Sequence, residues 1–193
     1  MIVRNEPDTA VLREFLAAQA GASFSYPAVG ATQGDFPRGF YRDERRWVVG
    51  HGPEEFAAAC AALRRWEMIP APWARVFPAE VPPAEGRAFA VVIRVAGVHW
   101  LNAVRVVYVA EESGPLRRFG FAYGTLEDHA ERGEERFMVE LAADGTVWYD
   151  VSAFSKPRAW QARLALPWVR LLQRRFAHES RRALVDAIAG SQA

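Results

Sequence analysis

Apolar and polar positions alternate along most of the second half of the chain, the pattern of strands with one buried face. Turn-forming residues, such as Ser113-Gly114-Pro115 and Asp144-Gly145, separate several of these segments, and no helical pattern intervenes. Six strands are predicted, at residues 73–78, 87–96, 100–111, 116–126, 134–142 and 146–155. A further strand is predicted at 40–49. The pattern therefore predicts a sheet in which successive strands pair antiparallel.

Helical spacing of apolar residues occurs in three places. A short amphipathic helix is predicted at 7–20, with Asp8 as a candidate cap. A second helix is predicted at 53–66, because proline suits the first helical position and acidic residues follow it. The last and longest helix is predicted at about 158–188, with a kink or a break at Pro167.

This order of elements predicts one α+β domain over residues 1–193. Its core, residues 40–193, would be an antiparallel sheet of about seven strands wrapped around the long C-terminal helix, the helix-grip arrangement. Residues 1–39 would add the first helix and a loop rich in glycine and proline. A chain of this length buries about 70% of the surface that it exposes when unfolded, enough for a substantial core.

The hairpin formed by the strands at 116–126 and 134–142 carries the densest polar chemistry. Period-two alternation puts the aromatic residues of the first strand on the inner face. A loop at 127–133 then predicts these opposite pairs: Phe119 with Leu141, Phe121 with Val139, Tyr123 with Phe137, and Thr125 with Glu135. The next turn, with Gly145 in the left-handed conformation, predicts four more: Tyr149 with Leu141, Val151 with Val139, Ala153 with Phe137, and Ser155 with Glu135.

A polar cluster ends this otherwise apolar inner face. Its members are Tyr123, Thr125, Glu135 and Ser155. An inward carboxylate beside apolar residues has a raised pKa, because desolvation disfavours its charged form. Glu135 is therefore a candidate acid, base or polar anchor for a ligand. The alternative, a structural carboxylate neutralised by an arginine, stays open.

His129 lies in the acidic loop of the same hairpin and is a candidate catalytic residue together with Glu135 and Tyr123. The competing interpretation is a histidine that only caps the turn. The four histidines are scattered, and no H-x-x-x-H, C-x-x-C or D-x-D spacing exists. Neither a metal site nor a cofactor is therefore predicted.

Composition and charge limit the classes of partner. Hydrophobic residues make up 51% of the chain and charged residues 24%, as in ordinary globular proteins. The net charge of +1 gives no reason to expect a nucleic-acid partner. No segment is apolar for long enough to span a membrane, and a signal-peptide pattern is missing, so a cytoplasmic location is expected. A row of arginines on the last helix is interpreted as a solvated face: Arg163, Arg170, Arg174 and Arg181.

Several long motifs resemble the domain-of-unknown-function 1990 family, also called uncharacterised protein family 0548. They are FSYPAVGAT at 24–32, PRGFY at 37–41, GHGPEEF at 50–56, ALRRWEM at 62–68, WLNAVRVVYV at 100–109, GFAYGTLEDHAERGEERF at 120–137 and VWYDVSAFSKP at 147–157. The resemblance covers nearly the whole chain. It implies a Bet v 1-like or START-like fold, in which a cavity often separates the sheet from the last helix, and it implies no substrate, cofactor or catalytic residue.

Binding of a small hydrophobic or amphipathic molecule in such a cavity is the function we expect. The candidate ligand-binding residues are Tyr26, Phe119, Phe121, Tyr123, Thr125, Glu134, Phe137, Tyr149 and Ser155. One alternative is an enzyme of the cyclase, dehydratase or hydrolase kind that uses Glu135 as acid or base, with Tyr123 or His129 orienting the substrate. A second is a structural or protein-interaction module served by exposed tryptophans and the arginine row.

Overall fold

The computed structural model describes residues 1–70, 73–114, 116–158 and 166–191. Its strands are β1 (Ile2–Val3), β2 (Tyr41–His51), β3 (Ala74–Phe77), β4 (Ala88–Val95), β5 (Val98–Ser113), β6 (Arg117–Thr125), β7 (Glu131–Leu141) and β8 (Thr146–Pro157). Its helices are α1 (Thr9–Ala18), α2 (Gly52–Arg64) and α3 (Leu166–Gly190), with a short 3₁₀ helix at Ala31–Gln33. The predicted element order is confirmed. Arg158, the predicted start of the last helix, is a bend, and residues 159–165 lie outside the described residues.

One antiparallel sheet contains all the described strands, in the order β2-β8-β7-β6-β5-β4-β3, with β1 added beside β5. Helix α2 carries the chain from β2 at one edge to β3 at the other, and the following strands return by successive hairpins until β8 pairs with β2. The short β1 is the strand that the sequence pattern did not predict. The α+β prediction and the helix-grip arrangement are confirmed.

Local sequence signals explain where several elements begin. Asp8 caps α1, where its carboxylate accepts a hydrogen bond of 2.9 Å from the amide of Val11. Pro53 lies in the first turn of α2 with two glutamates beside it. Gly145 has a φ of 88° in the β7–β8 turn, as predicted, and glycine adopts this conformation without steric cost.

The predicted register of the two hairpins was wrong by two residues. Phe121 lies opposite Phe137, and Tyr123 lies opposite Glu135. The loop between β6 and β7 is shorter than predicted because His129 N donates to Leu126 O and starts β7 early. Residues 142–145 connect β7 to β8, and Tyr149 lies opposite Val139 rather than Leu141, and Ser155 opposite Gly133 rather than Glu135. A shift of two keeps every side chain on its predicted face.

Bulky residues fill the inner face of the sheet near the β7–β8 turn. One cross-strand row contains Trp47, Tyr149, Val139 and Phe119, and the next contains Arg45, Val151, Phe137 and Phe121. Helices α2 and α3 cover this end of the face with Leu63, Leu184 and Ile188, all buried. The main hydrophobic core therefore lies here. Cys60 belongs to it, and burial raises the pKa of its thiol to about 11.

The opposite face of the sheet is covered by two separate segments. Helix α1 packs Leu12 and Phe15 against the outward residues of β4 and β5. The loop at 21–39 folds over β7 and β8, where Tyr26 and Phe36 contact Phe154. Both faces are therefore covered, one by the helix grip and the other by the N-terminal segment.

Candidate functional site

A cavity of about 510 Å³ lies between the sheet and α3, at the end opposite the main core. Small residues leave this space, because the inner rows change from aromatic side chains to Ala153, Gly133 and Ser155. The lining is largely apolar. It includes Val91, Ile93 and Val104 of the sheet and Leu172, Phe176 and Ala177 of α3. A volume of this size suits a small organic molecule.

Glu135 faces the cavity and forms one hydrogen bond inside it. Tyr123 Oη donates to Glu135 Oε2 over 2.6 Å, across the β6–β7 pair that holds the two residues opposite each other. Burial raises the pKa of Glu135 to about 7, an effect that the bond from Tyr123 opposes and the nearby carboxylates of Glu131 and Asp43 reinforce. Burial also raises the pKa of Tyr123 well above its ordinary value. Glu135 therefore gains and loses a proton near neutral pH.

His129 also lines the cavity, but its ring closes the turn before β7. The amide of Glu131 donates to His129 Nδ1 over 2.9 Å, so the neutral ring carries its proton on Nε2. Burial lowers the pKa of His129 to about 4, which keeps the ring uncharged at neutral pH. No hydrogen bond joins it to Glu135 or Tyr123 among the described residues.

A hydrogen-bonded group of polar residues from β7, β8 and α3 borders the cavity. Ser155 Oγ accepts bonds of 3.1 Å from both Arg170 and Gln173, and Gln173 Nε2 donates to Glu131 Oε2 over 2.6 Å. Arg170 also stacks on the ring of Tyr41, 3.7 Å from its centroid. The arginine row is thus not wholly solvated, since Arg170 is engaged at the cavity. Arg174 is exposed as expected, Arg181 is partly buried, and Arg163 lies outside the described residues.

The structure brings together six of the predicted site residues around the cavity: Tyr123, Thr125, His129, Glu134, Glu135 and Ser155. The hydroxyl of Thr125 is already engaged, 2.6 Å from Ser25 Oγ and accepting from the amide of Gly133. The predicted aromatic wall lies elsewhere. Phe119, Phe121, Phe137 and Tyr149 are packed in the main core. Tyr149 lies 2.7 Å from Ser180 Oγ rather than facing open space.

Tyr26 and Glu134 belong to the opposite face of the sheet. Glu134 is 3% exposed, and its carboxylate accepts bonds from Tyr26 Oη, from the amides of Gly30 and Thr32, and from the Thr32 hydroxyl. Its strand borders the cavity, but these four donors direct the carboxylate into the loop. Burial and the bond to Glu134 raise the pKa of Tyr26. This pair anchors the N-terminal loop.

Asp43, Tyr41 and Glu131 also line the cavity, although the sequence interpretation did not select them. The signal for the first two was present, because Tyr41, Asp43, Arg45 and Trp47 alternate along β2 and share its inner face. Gln173 lies one helical turn from Arg170, but a helical position alone does not show which strand it meets. In the described part of the chain, no three histidine, cysteine or acidic side chains are grouped to hold a metal.

Comparison with known proteins places the chain in a family. The model of a family described as a domain of unknown function, DUF1990, matches residues 25–183. The chain belongs to this family. A UPF0548 protein of Arabidopsis thaliana is 35% identical over 157 residues, which cover 79% of this chain and 76% of the relative. The resemblance that the sequence motifs indicated is confirmed.

Solved structures establish the fold of this DUF1990 member. The structure of Ara h 8.0201 has a TM-score of 0.50 at 12% identity, with 79% of this chain and 99% of that chain covered. Human STARD10 also has a TM-score of 0.50, at 10% identity, with 97% of this chain and 84% of that chain covered. At these identities the likeness concerns the fold, which is of the Bet v 1-like and START-like kind. None of the described helices is long and apolar enough to cross a membrane.

Proposed function

We propose that this protein binds a small hydrophobic or amphipathic molecule in the cavity between its sheet and α3. The observation that carries the proposal is the open space of about 510 Å³, lined mostly by apolar side chains, with the Glu135–Tyr123 pair inside it. An apolar pocket with a few convergent polar groups is the usual form of a small-molecule site. Trp168 supports this interpretation, because it is 59% exposed and also lines the cavity, as expected of a residue at an entrance.

Mass spectrometry of small molecules extracted from the purified protein tests this proposal. Ala153 lies in the inner row between Asp43 and Glu135, so Ala153→Phe should fill the cavity. Ala110→Phe is the matched control, because Ala110 is a partly exposed strand residue outside the cavity lining. We expect a compound that the native protein and the control retain and the Ala153→Phe variant loses. Equal retention by both variants would contradict binding in this cavity.

A second function, acid–base catalysis on the bound molecule, is favoured by one specific observation. Tyr123 donates to Glu135 over 2.6 Å inside the cavity, and the Glu135 carboxyl has a pKa of about 7. A general acid or base works best when its pKa lies near the working pH. His129 would be a neutral neighbour in this scheme, since its pKa of about 4 leaves it uncharged.

Deuterium incorporation from heavy water distinguishes catalysis from binding. The retained compound would be incubated with the native protein and with Glu135→Gln, and its mass would be followed. If Glu135 abstracts a proton, the compound should incorporate deuterium at a carbon, or change its mass by reaction, with the native protein. It should do neither with Glu135→Gln. An unchanged compound with both proteins means that the cavity binds the compound without reacting.

A further inference from the structure

The charged groups that line the cavity are mostly acidic. Among the described residues they are Asp43, Arg45, Glu131, Glu134 and Glu135. Asp43 pairs with Arg45, whose Nε lies 2.9 Å from Asp43 Oδ1, and the Glu134 carboxylate is bound by the loop on the other face. Among the described residues of the lining, Glu131 and Glu135 thus have no paired cation. Burying a carboxylate costs free energy unless a cation pairs with it, so this excess of acidic groups over basic groups needs a physical explanation.

Hydrogen-bond donors are also too few for these two carboxylates. A carboxylate offers about four acceptor positions, and Glu135 receives one hydrogen bond from the described residues, that of Tyr123. Glu131 Oε2 accepts from Gln173, and a hydrogen bond with the Ser155 hydroxyl also lowers the pKa of Glu131, but Glu131 Oε1 is buried and has no hydrogen-bond partner among the described residues. Buried polar atoms are nearly always hydrogen-bonded in native proteins. Among the described residues of the lining, these two carboxylates thus have more unfilled acceptor positions than there are free donors, of which the buried Arg45 Nε is one.

Arg170 does not remove this imbalance. It lies close enough for its charge to lower the pKa of Glu131, but its guanidinium donates to Ser155 and Gln173 and stacks on Tyr41. Burial outweighs Arg170, so the pKa of Glu131 is still raised. Aromatic rings supply a further attraction for a cation, because Trp73, Trp100 and Phe176 also line the cavity.

We infer that the ligand of this cavity is a cationic amphiphile whose protonated amine bonds to Glu135 while its apolar body lies against the aliphatic wall. This inference rests on the proposed binding function and specifies the ligand class. An ammonium group supplies three donors and a positive charge, which are what the cavity lacks. Glu131 lies four residues along the same strand face, about 13 Å away at the backbone, and its charge adds negative potential to the cavity. An anionic lipid-like molecule is disfavoured by the same charges.

The inference predicts a pH dependence of amine affinity. The groups facing Glu135 are Asp43 and Arg45 on β2, Tyr123 on β6, Glu131 on β7 and Tyr149 on β8, with Arg170 of α3 beside Glu131. A primary amine stays protonated from pH 5 to pH 8. Glu135 loses its charge below pH 7. Amine affinity should therefore rise from pH 5 to pH 8, while the affinity of a neutral molecule with the same body stays flat.

Three twelve-carbon probes with different head groups test the inference: dodecylamine, 1-dodecanol and dodecanoate. Each would displace Nile red, a neutral dye, from the native protein at concentrations below micelle formation. At pH 7.5 we expect dodecylamine to bind at least about 10-fold more tightly than 1-dodecanol, the effect of one charge-assisted hydrogen bond, with dodecanoate weakest. In Glu135→Gln the ratio of amine to alcohol affinity should fall close to one. Glu127→Gln, an exposed carboxylate outside the cavity lining, is the matched control and should keep the native ratio.

The outcomes separate this inference from the function on which it rests. Equal affinity for amine and alcohol, or tightest binding of dodecanoate, would overturn the inference and leave the binding function standing. An amine preference that Glu135→Gln retains would also overturn it. Failure of Nile red and all three probes to bind the native protein would count against the binding function itself. Circular dichroism of each variant shows whether the fold is intact.

Discussion

Glu134 and Glu135 are neighbours on β7, yet the two faces of the sheet give them opposite environments. Glu134 accepts hydrogen bonds from four donors of the N-terminal loop, whereas Glu135 accepts one from Tyr123 and faces a cavity. Four donors fill the acceptor capacity of a carboxylate, and one does not. Two identical adjacent residues thus differ because of what packs on each side of their strand. A carboxylate whose acceptor positions are all filled by protein donors stabilises the fold, while one with unfilled positions can accept hydrogen bonds from a ligand.

The largest expected effect on stability comes from Glu134, whose acceptor positions are all filled. Glu134→Gln replaces one acceptor oxygen with a donor that faces other donors. We expect a loss of about 3–5 kcal/mol in the free energy of unfolding, since removing a buried charged acceptor leaves its partners unpaired. Denaturant titration measures this loss, with exposed Glu127→Gln as the control. A loss below about 1 kcal/mol would mean that the loop does not depend on this carboxylate.

The second prediction concerns pH on the cavity side. Glu135 has a pKa of about 7 in the folded protein against an ordinary 4.5, so the folded state binds this proton more tightly. Its contribution to stability is greatest below pH 4.5 and declines by about 3 kcal/mol as the pH rises through 7.

Glu135→Gln isolates this contribution. Burial also raises the pKa of Glu131, but Glu131 is present in both proteins, so the comparison of the two reports on Glu135. The variant should match the native protein at low pH and be more stable at pH 8. Unfolding curves recorded across this range measure the difference. A constant difference would show that Glu135 titrates normally.

A smaller effect is expected from Gly124→Ala, which tests the close packing of the outer face. A methyl group at Gly124 would overlap Tyr26 Oη, which donates to Glu134. We expect a destabilisation of about 1–3 kcal/mol from this overpacking. The loss should be smaller when Glu134→Gln is already present, because coupled residues are not additive. Gly21→Ala is the control, since nothing lies within 4 Å of the added carbon. Full additivity would disprove the coupling.

The smallest effect is expected from Tyr123→Phe, which removes the donor that Glu135 has among the described residues. Loss of this single bond should cost about 1 kcal/mol of stability. The pKa of Glu135 should rise further, because the Tyr123 hydroxyl favours the ionised carboxylate. Carbon-13 NMR of the glutamate carboxyls, with Glu135→Gln for assignment, measures the shift. An unchanged pKa would show that Tyr123 does not hold the charged form.

The sequence predicted more of the fold than of the site. Alternation identified the inner residues of β6, β7 and β8, and an error of two in the register left every one of them on its face. The error still changed which residues lie opposite each other, since Tyr123 lies opposite Glu135 and not opposite the predicted Phe137. Register depends on how the short loop after Leu126 closes, and the His129 amide closes it by donating to Leu126 O, a contact that composition does not encode.

What the sequence determined by itself was the family, the order of the elements and the period-two faces of the strands, because periodicity and turn residues act locally. Only the tertiary structure decided what each glutamate contacts on its face. The loop at 21–39 covers the outer face and satisfies Glu134, while the small side chain of Ala153 leaves a cavity between the sheet and α3, which Glu135 faces. Contacts between segments about a hundred residues apart set these environments, and a local pattern contains no information about them.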